Sequence, residues 1–171
     1  MSSLQFVRYG TVPEVAKFVH RLPEPPRRGD AVVVRTHRGL QLGQVLEAAP
    51  STPDAAIDEM DFEIVRTATD EDETAARQLN SRCEGEFFEW CRRIVLWNLE
   101  LELVDLERTL DEEKVILYVL ADRGPATTQL ALQAAAEGLG LIEVQPVSAQ
   151  GLVAVESSGG GCGTGGCGCS H

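Results

Sequence analysis

The sequence predicts an α+β protein, in which a small β-barrel is followed by a second mixed domain and a glycine- and cysteine-rich tail. Three observations predict this order. Short runs of β-branched and aromatic residues fill the first 60 positions. The next stretch alternates such runs with two helical patterns, and the final residues contain too many glycines to build a core. We therefore expect three segments, at residues 1–60, 61–147 and 148–171.

The first segment contains four or five short strand-like runs separated by Gly10, Pro13 and a proline-rich stretch, PEPPRRGD. The third and fourth runs, AVVVRT and LQLGQVLE, flank THRG, which indicates a β-hairpin. Short strands with tight turns predict a small barrel of the SH3 or Tudor kind. The stretch APSTPDAAIDE then breaks the pattern and is expected to act as a linker.

The second segment opens with a strand-like run, FEIVRTA, and continues as a long helix to about Asn98. Thr69 is the expected N-cap of this helix, and Asp72 completes a capping-box pair. Cys83 and Cys91 lie on the apolar stripe of the helix, so we expect them to be small core residues rather than metal ligands. Eight helical residues separate them by about 12 Å, too far for a disulfide.

Two further strands, an alanine-rich helix capped by Thr127 or Thr128, and a final strand, LIEVQPV, complete the second segment. Strand, helix, strand, strand, helix, strand is the order of a ferredoxin-like βαββαβ domain. The run KVILYVLA is apolar on both of its faces, so both faces need cover. The helices would cover one face. The barrel, a second copy of the chain or a partner protein would cover the other face.

The net charge of −12 is unevenly distributed. Residues 1–60 contain seven basic and seven acidic side chains, whereas residues 61–143 contain eight basic and nineteen acidic ones. A phosphate backbone would therefore be tolerated only by the first segment. The candidate nucleic-acid contacts there are Arg27, Arg28, Arg35 and Arg38, with His37 beside them. These side chains are open to two interpretations, RNA contacts or ordinary solvated loop residues, and no DNA specificity is indicated.

The tail places Cys162, Cys167 and Cys169 within eight residues, followed by His171. Three thiolates and an imidazole are the ligands of a tetrahedral zinc site. Three cysteines can also hold part of an iron–sulfur cluster whose fourth ligand comes from a partner or a second chain. A low-complexity tail with incidental cysteines is the third interpretation. Their clustering favours metal, but the spacing does not distinguish zinc from an iron–sulfur cluster.

Motifs that would indicate an enzyme are missing from the sequence. It contains no P-loop, no HExxH, no GxSxG and no nucleotide-binding GxGxxG before a helix. His20 and His37 have no recognisable triad partner. We therefore expect a non-enzymatic protein. The absence of a secretory signal or a long apolar run leads us to expect a cytoplasmic location without membrane association.

Two long motifs are similar to those of one protein family. The stretch GDAVVVRTHRGLQLGQVLE resembles a family hairpin, and RTATDEDE together with CRRIVLWNLELELVDLERTLDEEKVILYVLAD resembles a family signature. The matching positions of the hairpin are Gly29, Val32, Val33, Val34, Thr36, Arg38, Gly39, Leu42 and Gly43. Those of the signature are Arg66, Ala68, Asp72, Cys91, Leu103, Val104, Asp105, Glu107, Asp111, Lys114 and Tyr118.

These motifs, which cover residues 28–145, resemble the family named for the C-terminal domain of a yeast polymerase suppressor (PSP-one), with bacterial YaaT/RicT-like members. The tail GGGCGTGGCGC is similar to a cysteine element of those members. The resemblance implies a cytoplasmic regulatory adaptor that acts in a multiprotein complex. It also implies an iron–sulfur cluster shared with partners and a link to mRNA processing. Direct RNA binding through the barrel arginines is the alternative.

Overall fold

The computed structural model describes residues 3–50, 62–121, 124–149 and 151–153. The fold is α+β and begins with a closed barrel, as predicted. Its nine strands and two helices in this part of the chain follow one another as β1 (Ser3–Tyr9), β2 (Glu14–His20), β3 (Ala31–Thr36), β4 (Gly39–Ala48), β5 (Glu63–Thr67), α1 (Asp70–Leu96), β6 (Glu102–Arg108), β7 (Lys114–Leu120), α2 (Ala126–Ala136), β8 (Leu141–Ser148) and β9 (Gly151–Leu152).

The barrel closes in the strand order β1-β2-β5-β3-β4, with β4 paired back to β1. Inward-facing residues alternate along each strand and form a core that includes Val7, Phe18, Val32, Val34 and Ile64. All five are at most 1% exposed. Alternation of buried apolar and outward polar residues is the pattern that a closed sheet imposes on its strands.

Strand β5 belongs to this barrel, and the prediction that FEIVRTA opens a ferredoxin-like sheet is wrong. It lies between β2, to which it is parallel, and β3, to which it is antiparallel. The side chain of Ile64 completes the barrel core. Without β5, β2 and β3 would each leave a row of backbone hydrogen-bonding groups unpaired, which is costly. The barrel therefore extends past the expected boundary at residue 60, while the division into three domains stays a prediction.

The predicted hairpin is present. Strands β3 and β4 pair from Ala31–Gln44 to Thr36–Gly39, which leaves His37 and Arg38 as the turn. Farther along β4, a Cβ on Gly43 would lie 2.6 Å from Cγ1 of Val7. Only glycine allows β1 and β4 to approach this closely and close the barrel.

The second sheet has the order β6-β7-β8-β9. Strand β6 is antiparallel to β7, β8 is parallel to β7, and β9 is antiparallel to β8. In the βαββαβ order, the strand before the first helix would belong to this sheet. Here that strand completes the barrel, and a short final strand, β9, is added after β8.

Helix α1 begins as the sequence predicts. Thr69 accepts a hydrogen bond from the backbone N–H of Asp72, whose carboxylate accepts the backbone N–H of Thr69 in return. Arg66 in β5 also pairs with this carboxylate, at 2.8 Å from Nη2 to Oδ1. The hydrogen bonds from Arg66 hold the pKa of Asp72 well below its usual range. The helix ends at Leu96, two residues before the predicted end.

Helix α2 differs at its start from the prediction. Its N-cap is Pro125, which forms no side-chain cap, and Thr127 and Thr128 both lie inside the helix. Proline is favoured at a helix start because its fixed φ suits helix entry and no N–H is left unpaired there. The helix ends at Ala136, and Gly138, whose φ of +70° lies in the left-handed region, follows its C-cap.

Both faces of β7 are buried, and two different layers cover them. Leu117 and Val119 pack with Trp90 and Ile94 of α1 and with α2. On the other face, Ile116 and Tyr118 pack with Val147 and with Val12 of the barrel. Of the three expected covers for this face, the structure shows the barrel, so the face is not open for docking. In the described residues, neither helix is long and apolar enough to cross a membrane.

Candidate functional site

The barrel meets the second sheet at a junction of buried polar residues. Two barrel turns reach the sheet there: the one between β1 and β2, and the hairpin turn at His37 and Arg38. The junction contains two clusters, one centred on Arg38 and the other on Glu107. Charged side chains are rarely buried unless they are paired, so these two positions are the most informative in the protein.

Arg38 is 2% exposed although it lies in a hairpin turn. Its Nη1 lies 2.7 Å from Oε2 of Glu14 in β2, and its Nη2 donates to Oε1 of Gln145 in β8 at 3.3 Å. Its Nε lies 3.7 Å from Oε1 of Glu143. Arg38 therefore pairs with Glu14 inside the barrel and reaches β8 through two further partners, Gln145 and Glu143.

Glu107 forms the second cluster, in β6. One carboxylate oxygen accepts from Nε2 of Gln41 at 2.8 Å. The other accepts from the hydroxyl of Tyr118 at 2.7 Å and from the backbone N–H of Thr11 at 2.9 Å. Burial and the nearby Glu107 carboxylate raise the pKa of Tyr118 well above its usual value, so it keeps its proton and donates. Thr36 in turn donates to Oε1 of Gln41 at 2.8 Å.

Outer contacts reinforce the same junction. Nζ of Lys114 donates to the carbonyl of His37 at 3.2 Å and lies 3.4 Å from Oε2 of Glu143. The backbone N–H of Leu40 donates to Oδ2 of Asp111 at 3.3 Å, and the carbonyl of Leu40 accepts from the N–H of Leu110 at 2.7 Å. The hairpin of the barrel and the β6–β7 turn are therefore joined by backbone as well as side-chain hydrogen bonds.

Two cavities lie beside these clusters. The larger, of about 500 Å³, is lined by Glu14, His37, Arg38, Glu143, Val144, Gln145, Leu152 and Val153. The smaller, of about 210 Å³, lies between the barrel, α1 and β6 and includes Thr11, Gln41, Asn80 and Glu107 in its lining. Some of the polar groups that line them bind one another across the junction, as Arg38 does with Gln145 and Glu107 with Gln41. These contacts hold the barrel and the second sheet together.

The structure separates the predicted RNA-contacting arginines. Arg38 is buried in the junction, so it does not present its guanidinium to a phosphate backbone. Arg35 is exposed but lies 3.5 Å from Oε2 of Glu63. Arg27 and Arg28 are exposed in the turn before β3, at the opposite end of that strand from Arg35. The four side chains do not form one basic surface.

The helix cysteines are core residues, as predicted. Cys83 is 4% exposed and packs in the core between α1 and the sheet, and the partly buried Cys91 packs against the same core farther along the helix. Burial raises the pKa of both thiols, so neither is an activated thiolate. Among the residues that the structure describes, no three histidine, cysteine, aspartate or glutamate side chains could hold a metal ion. The predicted ligands Cys162, Cys167, Cys169 and His171 lie outside the described residues.

No family model matches the chain, and no solved structure matches it. Among curated proteins, the chain is 31% identical over 96 residues to the stage 0 sporulation protein YaaT of Bacillus subtilis (strain 168). The match covers 53% of this chain and 33% of YaaT, so the chain spans about a third of the length of that relative. The similarity confirms the resemblance to YaaT-like proteins that the motifs indicated.

Several residues that carry this resemblance build the junction. Arg38, Glu107 and Tyr118 are buried in its two clusters. Asp111 and Lys114 bind the hairpin from the β6–β7 turn. The shared motifs therefore describe how the barrel is held against the sheet.

Sequence reasoning missed the partners of these residues. Glu14 and Gln41 lie on barrel strands, and Gln145 interrupts the apolar run LIEVQPV. The sequence offers one signal for such partners: a polar residue at a strand position whose side chain the alternation places inward. That signal marks Gln41 and Gln145, but it does not indicate which element each one binds.

Proposed function

We propose that this protein is a non-enzymatic regulatory adaptor, which acts in the cytoplasm inside a multiprotein complex and takes part in sporulation-related regulation. The similarity to YaaT carries this proposal, since it extends over half of the chain. The junction supports it as well. Its buried polar groups bind one another across the two layers, as expected of a rigid scaffold that presents surfaces to partners.

The proposed role includes a metal, held by the C-terminal cysteines. Cys162, Cys167, Cys169 and His171 would supply three thiolates and an imidazole, either to zinc or to an iron–sulfur cluster completed by a partner. The core position of Cys83 and Cys91 supports this assignment, because their thiols are committed to packing. Metal bound in this way would couple assembly of the complex to metal supply or redox state, with a link to mRNA processing through the partners.

Metal and sulfide analysis of protein purified without oxygen tests this proposal. The full chain would be compared with a chain ending at Ser158 and with a variant in which Cys162, Cys167 and Cys169 are serine. Cys91→Ala serves as the matched control, because it removes a thiol from the helix and leaves the tail intact. Iron and sulfide, or stoichiometric zinc, lost in both tail variants but kept in the control would support the proposal. Retention of metal without the tail cysteines would overturn the metal role, and so would absence of metal from the full chain both alone and co-purified with its bound partners.

Direct RNA binding is the second candidate, now restricted to the loop before β3. Within the described residues, the exposed side chains of Arg27 and Arg28 form no ion pair, which leaves both charges available to phosphate. Replacement of both by glutamate should abolish a salt-dependent shift of single-stranded RNA. The control is Arg8→Glu with Lys17→Glu, an equal charge change elsewhere on the barrel surface. Equal loss in both double variants would indicate a general charge effect, and no shift with wild-type protein would eliminate this candidate.

A further inference from the structure

The outer surface of helix α1 carries three large apolar side chains. Phe88 is 81% exposed, Val95 76% and Leu96 72%. At about 100° per residue, Phe88 and Val95 lie within roughly 20° of each other on the side of the helix opposite buried Trp90. A grouped set of exposed apolar side chains marks an interaction surface more often than scattered ones do.

The charges around Phe88 are arranged with opposite signs. Glu84 lies one helical turn before Phe88 and forms no ion pair among the described residues. Arg92 lies one turn after Phe88, and it shares the single carboxylate of Glu89 with Arg93, at 3.0 and 3.2 Å. The surface therefore has unbalanced negative charge four residues before Phe88 and unbalanced positive charge four residues after it. We refer to Glu84, Phe88, Arg92 and Val95 as the Phe88 face.

We propose that the Phe88 face binds the same face of a second copy of this chain, with the two α1 helices antiparallel about a two-fold axis at Phe88. This arrangement places Phe88 against Phe88 of the second copy. It also brings Glu84 opposite Arg92 of the second copy, and the symmetry repeats this ion pair. The side chains are self-complementary only in this direction, since a parallel pair would place Glu84 beside Glu84 and Arg92 beside Arg92.

With the axis at Phe88, residues 80–96 of one helix lie against the same residues of the second copy in the opposite direction. Opposed helix dipoles attract each other when the helices are antiparallel. A single helix on each side gives a smaller contact than the roughly 1,200 Å² of a stable interface, so we expect a weak dimer that depends on concentration. This inference does not depend on the proposed metal or RNA functions.

Sedimentation of the full chain over a concentration series tests the dimer, with reductant present so that the cysteines cannot cross-link copies. The wild type should shift from monomer to dimer as its concentration rises, with dimer present below millimolar concentration. Glu84→Arg alone and Arg92→Glu alone should each weaken the dimer at least about tenfold, because symmetry makes each reversal place two like-charge pairs in contact. The double variant E84R/R92E restores both attractive pairs, so its dimer should return to near wild-type strength.

Glu113→Arg is the matched control, since it reverses an exposed charge in the β6–β7 turn, outside the Phe88 face. Circular dichroism melting would establish that each variant is folded. A wild type that stays monomeric at millimolar concentration would overturn the proposal. So would a dimer that Phe88→Ala or the single reversals leave unchanged, or a double variant as weak as the single ones.

Discussion

Nη1 of Arg38 lies 2.7 Å from Oε2 of Glu14, and the guanidinium of this ion pair is buried between the barrel and the second sheet. A buried guanidinium that keeps its charge must have its partners in place, and removal of one partner leaves the other charge uncompensated. The stability of the protein therefore depends on this turn residue more than on any exposed arginine of the barrel.

Arg38→Ala is expected to lower the free energy of unfolding by about 1.5–3 kcal/mol, because it removes the charged hydrogen bond to Gln145 and the contact with the partly exposed Glu14 carboxylate. Urea denaturation measures the change. Arg35→Ala is the comparison, since the exposed pair of Arg35 with Glu63 should be worth less than about 1 kcal/mol. Equal losses in the two variants would contradict the structural role of Arg38.

Tyr118→Phe should cost about 1.5–3 kcal/mol, because it removes a hydrogen bond to the ionised Glu107 carboxylate. The ring still fills its place against Ile116 and Val147. A double-mutant cycle with Glu107→Gln isolates the pairwise interaction, which we expect at roughly 0.5–3 kcal/mol. Additive effects of the two substitutions would show that the hydroxyl and the carboxylate are not coupled.

Thr69→Ala should destabilise the protein by about 1 kcal/mol through loss of the N-cap of α1. Thr128→Ala is a suitable control, because Thr128 lies in α2, whose start has no side-chain cap. Thermal unfolding followed by circular dichroism compares the two. The prediction fails if both substitutions have the same effect.

Gly85→Ala should raise the stability by about 0.5–1 kcal/mol. Gly85 lies in the middle of α1, where glycine costs about this much relative to alanine. A Cβ at this position would meet nothing within 4 Å. In contrast, Gly43→Ala should destabilise the protein, since its Cβ would clash with Val7. Denaturation curves of the two glycine variants should thus move in opposite directions.

Acidification should destabilise the barrel through His20. Its side chain is 2% exposed and contacts the hydroxyl of Ser3, and burial lowers its pKa below the usual 6.5. The stabilisation from the neutral ring is complete above pH 6.5, and it is lost as the pH falls through the lowered pKa, because the unfolded chain takes up a proton that the folded one resists. Unfolding measured from pH 7.5 to 5 should show this slope in the wild type. The loss of stability at low pH should persist in His37→Gln and be reduced in His20→Gln.

Local signals predicted local structure well. The hairpin of β3 and β4 was predicted from a turn between two β-branched runs, and the capping box from Thr69 and Asp72. Both depend on residues close in sequence. The core position of Cys83 also followed from helical spacing alone, because one face of a long helix packs against the rest of the protein.

The local sequence pattern did not predict which strands pair across long distances in the chain. The run at Glu63–Thr67 was correctly predicted as a strand, but its alternation does not specify which sheet it joins. The burial of Arg38 could not be predicted either, since a charged residue in a hairpin turn is usually solvated. Only the partners that approach it from β2 and β8 make its burial possible, and they lie far away in the sequence.

The position of β5 inside the barrel affects the order in which the chain can fold during synthesis. Strands β1 to β4 leave the ribosome first, but β2 and β3 have no common neighbour until Glu63–Thr67 follows. Helix α1 then begins only three residues after β5 ends. The barrel therefore cannot close between β2 and β3 until β5 has been synthesised, just before the residues of the second layer. A fragment cut at residue 60 would keep this gap open and tend to associate through its edges.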